Sequence, residues 1–320
     1  MKSFYYRKSR VTPIVAVAAV LLGISFFTFL LTYLAPGDPV RSMFLASGSM
    51  PSDEVIEATR EEMGLDRPFL VQYISWLGGV LHGDFGVSYS ISAGESVLFI
   101  LSSRVWPTLW LALLSLILML VVAIPFGMLA AVRQNGPIDY IVRGCTFAGV
   151  SLPSFWVGLA LLYVVALKMG LLPVISTGTG FKKMILPAVT LAFSMSAKYT
   201  RQVRAAVLEE LHKDYVVGAR ARGMDQKTIL WRHVFPNALL PLVTLLGLSL
   251  GSLLGGTAVV EVIFSYPGLG SLAVQAVKAM DYPVIQGYVL WIALIYMVIN
   301  LLVDISYGSL DPRIKRGWGA

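Results

Sequence analysis

Five uncharged, mostly apolar runs, at residues 11–34, 105–132, 145–167, 238–260 and 284–303, constrain this 320-residue chain more than any other feature, and none of them contains Asp, Glu, Lys, Arg or His. A helix needs about 20 residues to cross the hydrocarbon core of a bilayer, so each run is long enough to span it. A sixth run, 184–197, is short, but its helical pattern continues through Lys198 and Tyr199. Composition agrees with a chain solvated largely by lipid: 57% hydrophobic residues, 13% charged and a mean hydropathy of +0.75. The expected fold class is an all-α integral membrane protein.

Charge sets the sidedness. If the sixth run crosses and the N-terminus is inside, 17 of the 25 Lys and Arg fall on the cytoplasmic side. If it does not cross, only 7 do. Positive charge prefers the cytoplasmic face, which favours six transmembrane helices with cytoplasmic N- and C-termini. Lys168, Lys182 and Lys183, in a short outer loop, run against that trend. The net charge of +7 follows from this topology and calls for no nucleic acid partner.

The chain divides on this reading into 1–34, a cytoplasmic N-terminus with the first span; 35–104, an external cap; 105–306, a core with spans two to six; and 307–320, a cytoplasmic tail. The first apolar run is about twice the length of a signal-peptide core, so it reads as a retained anchor. The cap carries nine acids against four Arg and no obvious core of its own. Within it PSDEVIEATREEMGL predicts a helix opened by Pro51 and Ser52 and closed at Gly64.

Side-chain chemistry is sparse. No span carries a base to activate a serine, so no catalytic residue is assigned. Cys145 stands alone, which excludes a disulfide framework, and no metal site is assigned. His82 reads as a surface or capping residue, and Met119, Met128, Met195 and Met297 as span packing. Gly255 and Gly256 read as close helix contacts or as a gate on the path. Glu261 and Asp304 lie only at span edges, which argues against the alternative of an ion-coupled secondary carrier or a channel acting alone. Energy should then arrive from a partner, and the inner loop before the fifth span is the place to receive it.

That loop, with its coupling segment at 211–236, reads as helix, short cross-piece, helix. Gly223 permits a close-packed or left-handed turn after GARARG, and Asp225 is placed to cap the helix that follows. GARARGMDQKTILWRHVFPNALLP resembles the cytoplasmic loop of ABC importer permeases, in the branch serving dipeptides, oligopeptides and nickel or metal chelates. Tyr215, Ala219, Arg220, Ala221, Arg222 and Gly223 match that branch, whereas Val217 and Gly218 stand where the general motif has glutamate and alanine. APGDP at 35–39, GLDRPFLVQY at 64–73, GDFGVS at 83–88, YPGLG at 266–270, DYPVIQG at 281–287 and DPRIK at 311–315 extend the resemblance, in order, over nearly the whole chain.

The resemblance implies a type I importer permease fold with a cytoplasmic coupling helix. It implies a second homologous permease subunit, two cytoplasmic ATPase subunits and an external substrate-binding protein as partners, all around a lipid bilayer. ATP and Mg would be bound by the ATPases, leaving no cofactor in this chain. The residues it assigns to ATPase coupling are Tyr215, Gly218, Ala219, Arg220, Ala221, Arg222, Gly223 and Met224. The cargo is a short peptide or a nickel or metal chelate, with GLLPVISTGTGFKK and DYPVIQ closer to the nickel-type members.

Overall fold

The computed structural model describes residues 11–175 and 180–310. The first ten residues, Gly178 and the DPRIK stretch lie outside them, as do the surroundings of Gly256 and Asp304. In chain order the helices are α1 (Val11–Leu34), α2 (Pro39–Ala46), α3 (Asp53–Glu62), α4 (Phe69–Leu81), α5 (Val97–Val132), α6 (Pro137–Ser151), α7 (Ser154–Leu161), α8 (Phe181–Leu211), α9 (Asp214–Ala221), α10 (Gln226–Thr228), α11 (Phe235–Ile263), α12 (Leu269–Lys278) and α13 (Tyr282–Leu310). A π-helical segment extends α7 through Lys168, and another, Ile229–Val234, joins α10 to α11.

Among the described residues, three single helical stretches are long and apolar enough to cross a membrane: Val15–Leu34, Val97–Val132 and Tyr282–Val303. The expected span at 145–167 is not one straight rod. It breaks between α6 and α7, and the two halves, Pro137–Ser151 and Ser154–Lys168, meet at 98°. The cause is local: a proline disfavours helical geometry in the residue before it, and Leu152, ahead of Pro153, is extended at φ −83, ψ 127. The short sixth run is absorbed, as its pattern predicts, into the continuous 31-residue α8.

The chain forms two compact units, residues 1–106 with 271–297, and residues 107–270 with 298–320. In the first, the segment 35–104 does have a core, built partly from α1. Phe26 and Phe29 of α1 meet Phe69, Tyr73 and Trp76 of α4, with ring centroids 5.4–5.7 Å apart. The hydroxyls of Ser25 and Tyr73 hydrogen-bond at 2.9 Å beside them. Helix α3 begins after Ser52 and ends before Gly64, which has φ +67, as its sequence predicts. The imidazole of His82, the residue closing α4, bonds the Gly78 carbonyl at 2.8 Å, in keeping with a capping role.

Asp281 ties the first unit together. Its fully buried carboxylate accepts from the Ser88 hydroxyl at 2.5 Å and from the backbone N–H groups of Tyr89, Ser90 and Ile91 at 3.0–3.1 Å. Four donors around one carboxylate offset the cost of burying its charge. Burial, and then the charge of Asp281, push the Tyr89 phenol up to about 12.

In the second unit α8 is the hub on which α6, α7 and α11 pack. Glycines set how close the neighbours come: a Cβ on Gly127 of α5 would lie 2.6 Å from Val203 Cβ, and one on Gly149 of α6 would lie 2.8 Å from Ala197 Cβ. Small residues admit such approach where lipid supplies no hydrophobic drive between helices. Gly255 is different. A Cβ there would meet nothing within 4 Å among the described residues, so the glycine makes no close helix contact among them.

Candidate coupling surface

The cross-piece expected in the inner loop is α9, eight residues long. Helix α8 stops at Leu211, and Lys213 is extended at φ −78, ψ 150, which turns the chain before α9 begins. Asp214 in its first turn and Arg220 in its last both complement the helix dipole.

One face of α9 is buried in its own subunit. Val216 and Ala219 pack in a cluster with Met128, Ala131, Val203, Val207, Ile229 and Val234, drawn from α5, α8 and the segment after α10. Tyr215 belongs to the same mount: its phenol donates to Glu210 Oε2 at 2.8 Å, while Lys213 Nζ holds Glu210 Oε1 at 2.5 Å. Burial is the main influence raising the Tyr215 phenol above its ordinary value. Met224 packs against the cluster as well.

The other face is open. Val217 is 59% exposed, Arg220, Ala221, Arg222 and Gly223 are exposed, and Gly218 is half-buried. Neither Arg220 nor Arg222 makes an ion pair among the described residues. The eight residues assigned together from the sequence therefore divide. Tyr215, Ala219 and Met224 hold the cross-piece to the rest of the chain, while Gly218, Arg220, Ala221, Arg222 and Gly223 are presented outward. Ala219, assigned to ATPase coupling with the others, is only 2% exposed and faces the mount.

The exit from α9 is defined by backbone geometry. Gly223 N–H donates to Arg220 O at 2.9 Å and Met224 N–H to Ala219 O at 3.2 Å, with Gly223 at φ +77. This is the Schellman arrangement, which satisfies the last carbonyls of a helix and favours glycine at the left-handed position. A Cβ on Gly223 would meet nothing within 4 Å, so its role is conformational and not one of close packing. Asp225 then caps α10 as expected, its side chain accepting from Thr228 N–H at 3.0 Å.

One part of the mount has no counterpart in the sequence reading. Asp139, in the first turn of α6 and fully buried, takes a two-pronged bond from Arg204 of α8: Nε to Oδ1 at 2.6 Å and Nη2 to Oδ2 at 2.8 Å. It also accepts from Asn135 N–H at 2.9 Å, and Arg143 Nε lies 3.5 Å away. Asn135, at φ +60, shapes the tight connection from α5 to α6. The only sequence signal was an acid just inside a helix opened by Gly136 and Pro137. Its partner, 65 residues on, was not legible.

Comparison with known proteins agrees with this architecture. Residues 123–316 match the family described as binding-protein-dependent transport system inner membrane component, and residues 6–112 match the description of its N-terminal region. The probable D,D-dipeptide transport system permease protein DdpB of Escherichia coli K12 is 37% identical, with 94% of this chain and 95% of that protein covered. The oligopeptide transport system permease protein AppB of Bacillus subtilis is 39% identical, with 92% and 95% covered. Among solved structures, the inward-facing MetNI methionine ABC transporter superposes with a TM-score of 0.57 at 20% identity, over 67% of this chain and 97% of that one. An amino acid ABC transporter gives 0.51 at 18%, over 66% and 94%.

Proposed function

The chain belongs to the binding-protein-dependent transport system inner membrane components, a multi-pass permease subunit of an ABC importer in the cytoplasmic membrane and not an enzyme, and on that premise we propose how it is driven and what it carries. Helix α9 is the coupling helix, seated in a groove of a cytoplasmic ATPase. The transporter contains a second permease, two ATPases that bind ATP and Mg, and an external binding protein that delivers cargo. The chain crosses the membrane six times with both ends inside, α6–α7 forming one bent span and α8 and α11 two more. The cargo is a short peptide, since DdpB and AppB are named for a D,D-dipeptide and an oligopeptide.

The observation that carries the coupling role is the two-faced character of α9. A short helix is fixed on one side by buried Val216, Ala219 and the Tyr215–Glu210–Lys213 bonds, and offers on the other two guanidinium groups that have no ion pair among the described residues. A displacement applied to such a helix passes to α5, α8 and α11 as a rigid-body motion, because its mount shares their core. Arg forks suit carboxylates and backbone carbonyls of a soluble partner.

Reversing both charges, Arg220→Glu with Arg222→Glu, tests this. In the reconstituted transporter, uptake and binding-protein-stimulated ATP hydrolysis should fall together by tenfold or more, with normal amounts of the chain in the membrane. Uptake at the wild-type rate would remove α9 from the coupling role. Uptake driven by a proton gradient without ATP would overturn the importer mechanism as a whole.

A further inference from the structure

Beside its aromatic core the first unit contains a hollow of about 810 Å³, walled by the last turns of α1, by α2, α3 and α4, by the loop before α5 and by the first residues of α13. Protein interiors pack like organic crystals and leave few voids larger than a water molecule, so a space of this size is a recess that the fold maintains. Polar ties hold its frame. Gln286 Nε2 donates to Thr32 Oγ1 at 2.8 Å, joining α13 to α1, and Arg60 donates to Asp38 at 2.7 Å, joining α3 to the cap of α2. Gln72 Nε2 donates to Leu65 O at 3.0 Å and to Arg67 O at 2.7 Å, which fixes the backbone that carries Arg67.

Other polar groups on the wall take no part in that frame. Arg67 is exposed and makes no ion pair among the described residues, whereas Arg60, the other arginine lining the hollow, has Asp38. Tyr33 is 48% exposed, Ser75 is exposed and Tyr89 is half-buried. None of their three hydroxyls makes a hydrogen bond among the described residues. Phe29 and Trp76, with ring centroids 5.5 Å apart, add an apolar wall.

These groups match the chemistry of a peptide. Hydroxyls both donate to and accept from backbone amides, aromatic faces take side chains, and an Arg fork takes a terminal carboxylate. The volume lies within the range of about 300–1,000 Å³ typical of pockets that enclose a small ligand. An acyl chain would leave the three hydroxyls unpaired, which favours a peptide over a lipid. We propose that the hollow binds a short peptide, its C-terminal carboxylate on Arg67 and its backbone on the hydroxyls of Tyr33, Ser75 and Tyr89. The site rests on the peptide-importer reading above and gives the permease a cargo site of its own, on the outer side of the proposed topology and separate from the binding protein.

Photolabelling of the complete transporter, without binding protein, tests it. A trileucine carrying one diazirine leucine should leave adducts on Phe29, Tyr33 or Trp76, located by mass spectrometry after proteolysis. Unlabelled trileucine should suppress them, and trileucinamide, which lacks the terminal charge, should compete about tenfold less well. Arg67→Met should lower labelling strongly and Arg67→Lys less. Ser75→Trp, which fills the hollow and leaves Arg67 in place, should lower it too, and both positions are exposed, so normal amounts of each variant are expected in the membrane. No adducts in the hollow, equal competition by the amide, wild-type labelling of Arg67→Met, or suppression only by phosphatidylglycerol would overturn the site, the last by pointing to a lipid. ATP-dependent trileucine uptake is measured on the same preparation with binding protein added. Uptake without adducts overturns the site and leaves the importer reading intact, whereas absence of uptake overturns the peptide reading and the site with it.

Discussion

Asp139 illustrates how much a single residue can do in a chain with few charges. Its carboxylate joins the connection between α5 and α6 to Arg204, which lies between Val203 and Val207, two members of the cluster that seats α9. Replacing it by Asn keeps the shape and removes the charge, leaving Arg204, 19% exposed, without its anion. Breaking a buried pair in this way costs about 3 kcal/mol. Thermal unfolding of the purified protein should show Asp139→Asn less stable than wild type at pH 7. A midpoint equal to that of wild type would mean that the charge contributes nothing.

At the scale of elements, the turn between α9 and α10 separates backbone geometry from side-chain contact. Gly223 occupies a left-handed conformation in open space, so any penalty for a larger residue comes from φ alone. A β-branched residue there should cost about 1–2 kcal/mol, and Asn, which tolerates that region, distinctly less. Gly223→Val is therefore expected to lower ATP-dependent uptake with expression maintained, and Gly223→Asn to stay near wild type. Equal loss in both would point to the surface of α9 and not its exit geometry. The cross-piece, the left-handed turn and the Asp225 cap were legible because each depends on residues within four positions of one another. The division of α9 into a mounting face and an open face was not, because Ala219 and Ala221 look alike until Val203 and Ile229 are placed beside one of them.

Across the whole molecule, the proposed topology makes a labelling prediction. With Cys145 replaced, a cysteine introduced at Glu62 should react with an impermeant thiol reagent applied outside intact cells, and one at Gln226 should react only after the membrane is opened. Both positions are exposed in the fold, so burial does not confuse the result. Reaction at Gln226 from outside would contradict six spans with cytoplasmic ends. The 98° break between α6 and α7 bears on the same question, since a bent pair has to count as one crossing for the sum to be six.

The sequence by itself determined that this chain lives in a membrane, that its helices are long, and which loop carries the cross-piece. Those properties follow from apolar run length, from Lys and Arg counts, and from glycine, proline and aspartate acting on their immediate neighbours. The family resemblance was also readable, because its motifs are short and occur in order. Only the tertiary structure decided that the helix breaks sharply at Leu152 and Pro153 and that residues 35–104 build their core on α1. It alone paired Asp139 with Arg204 and gathered four donors around Asp281. Each depends on groups far apart in the chain or on an angle between elements. Local preference sets where a helix starts and stops, whereas a buried carboxylate takes whichever donors the fold brings within 3 Å, and that choice belongs to packing.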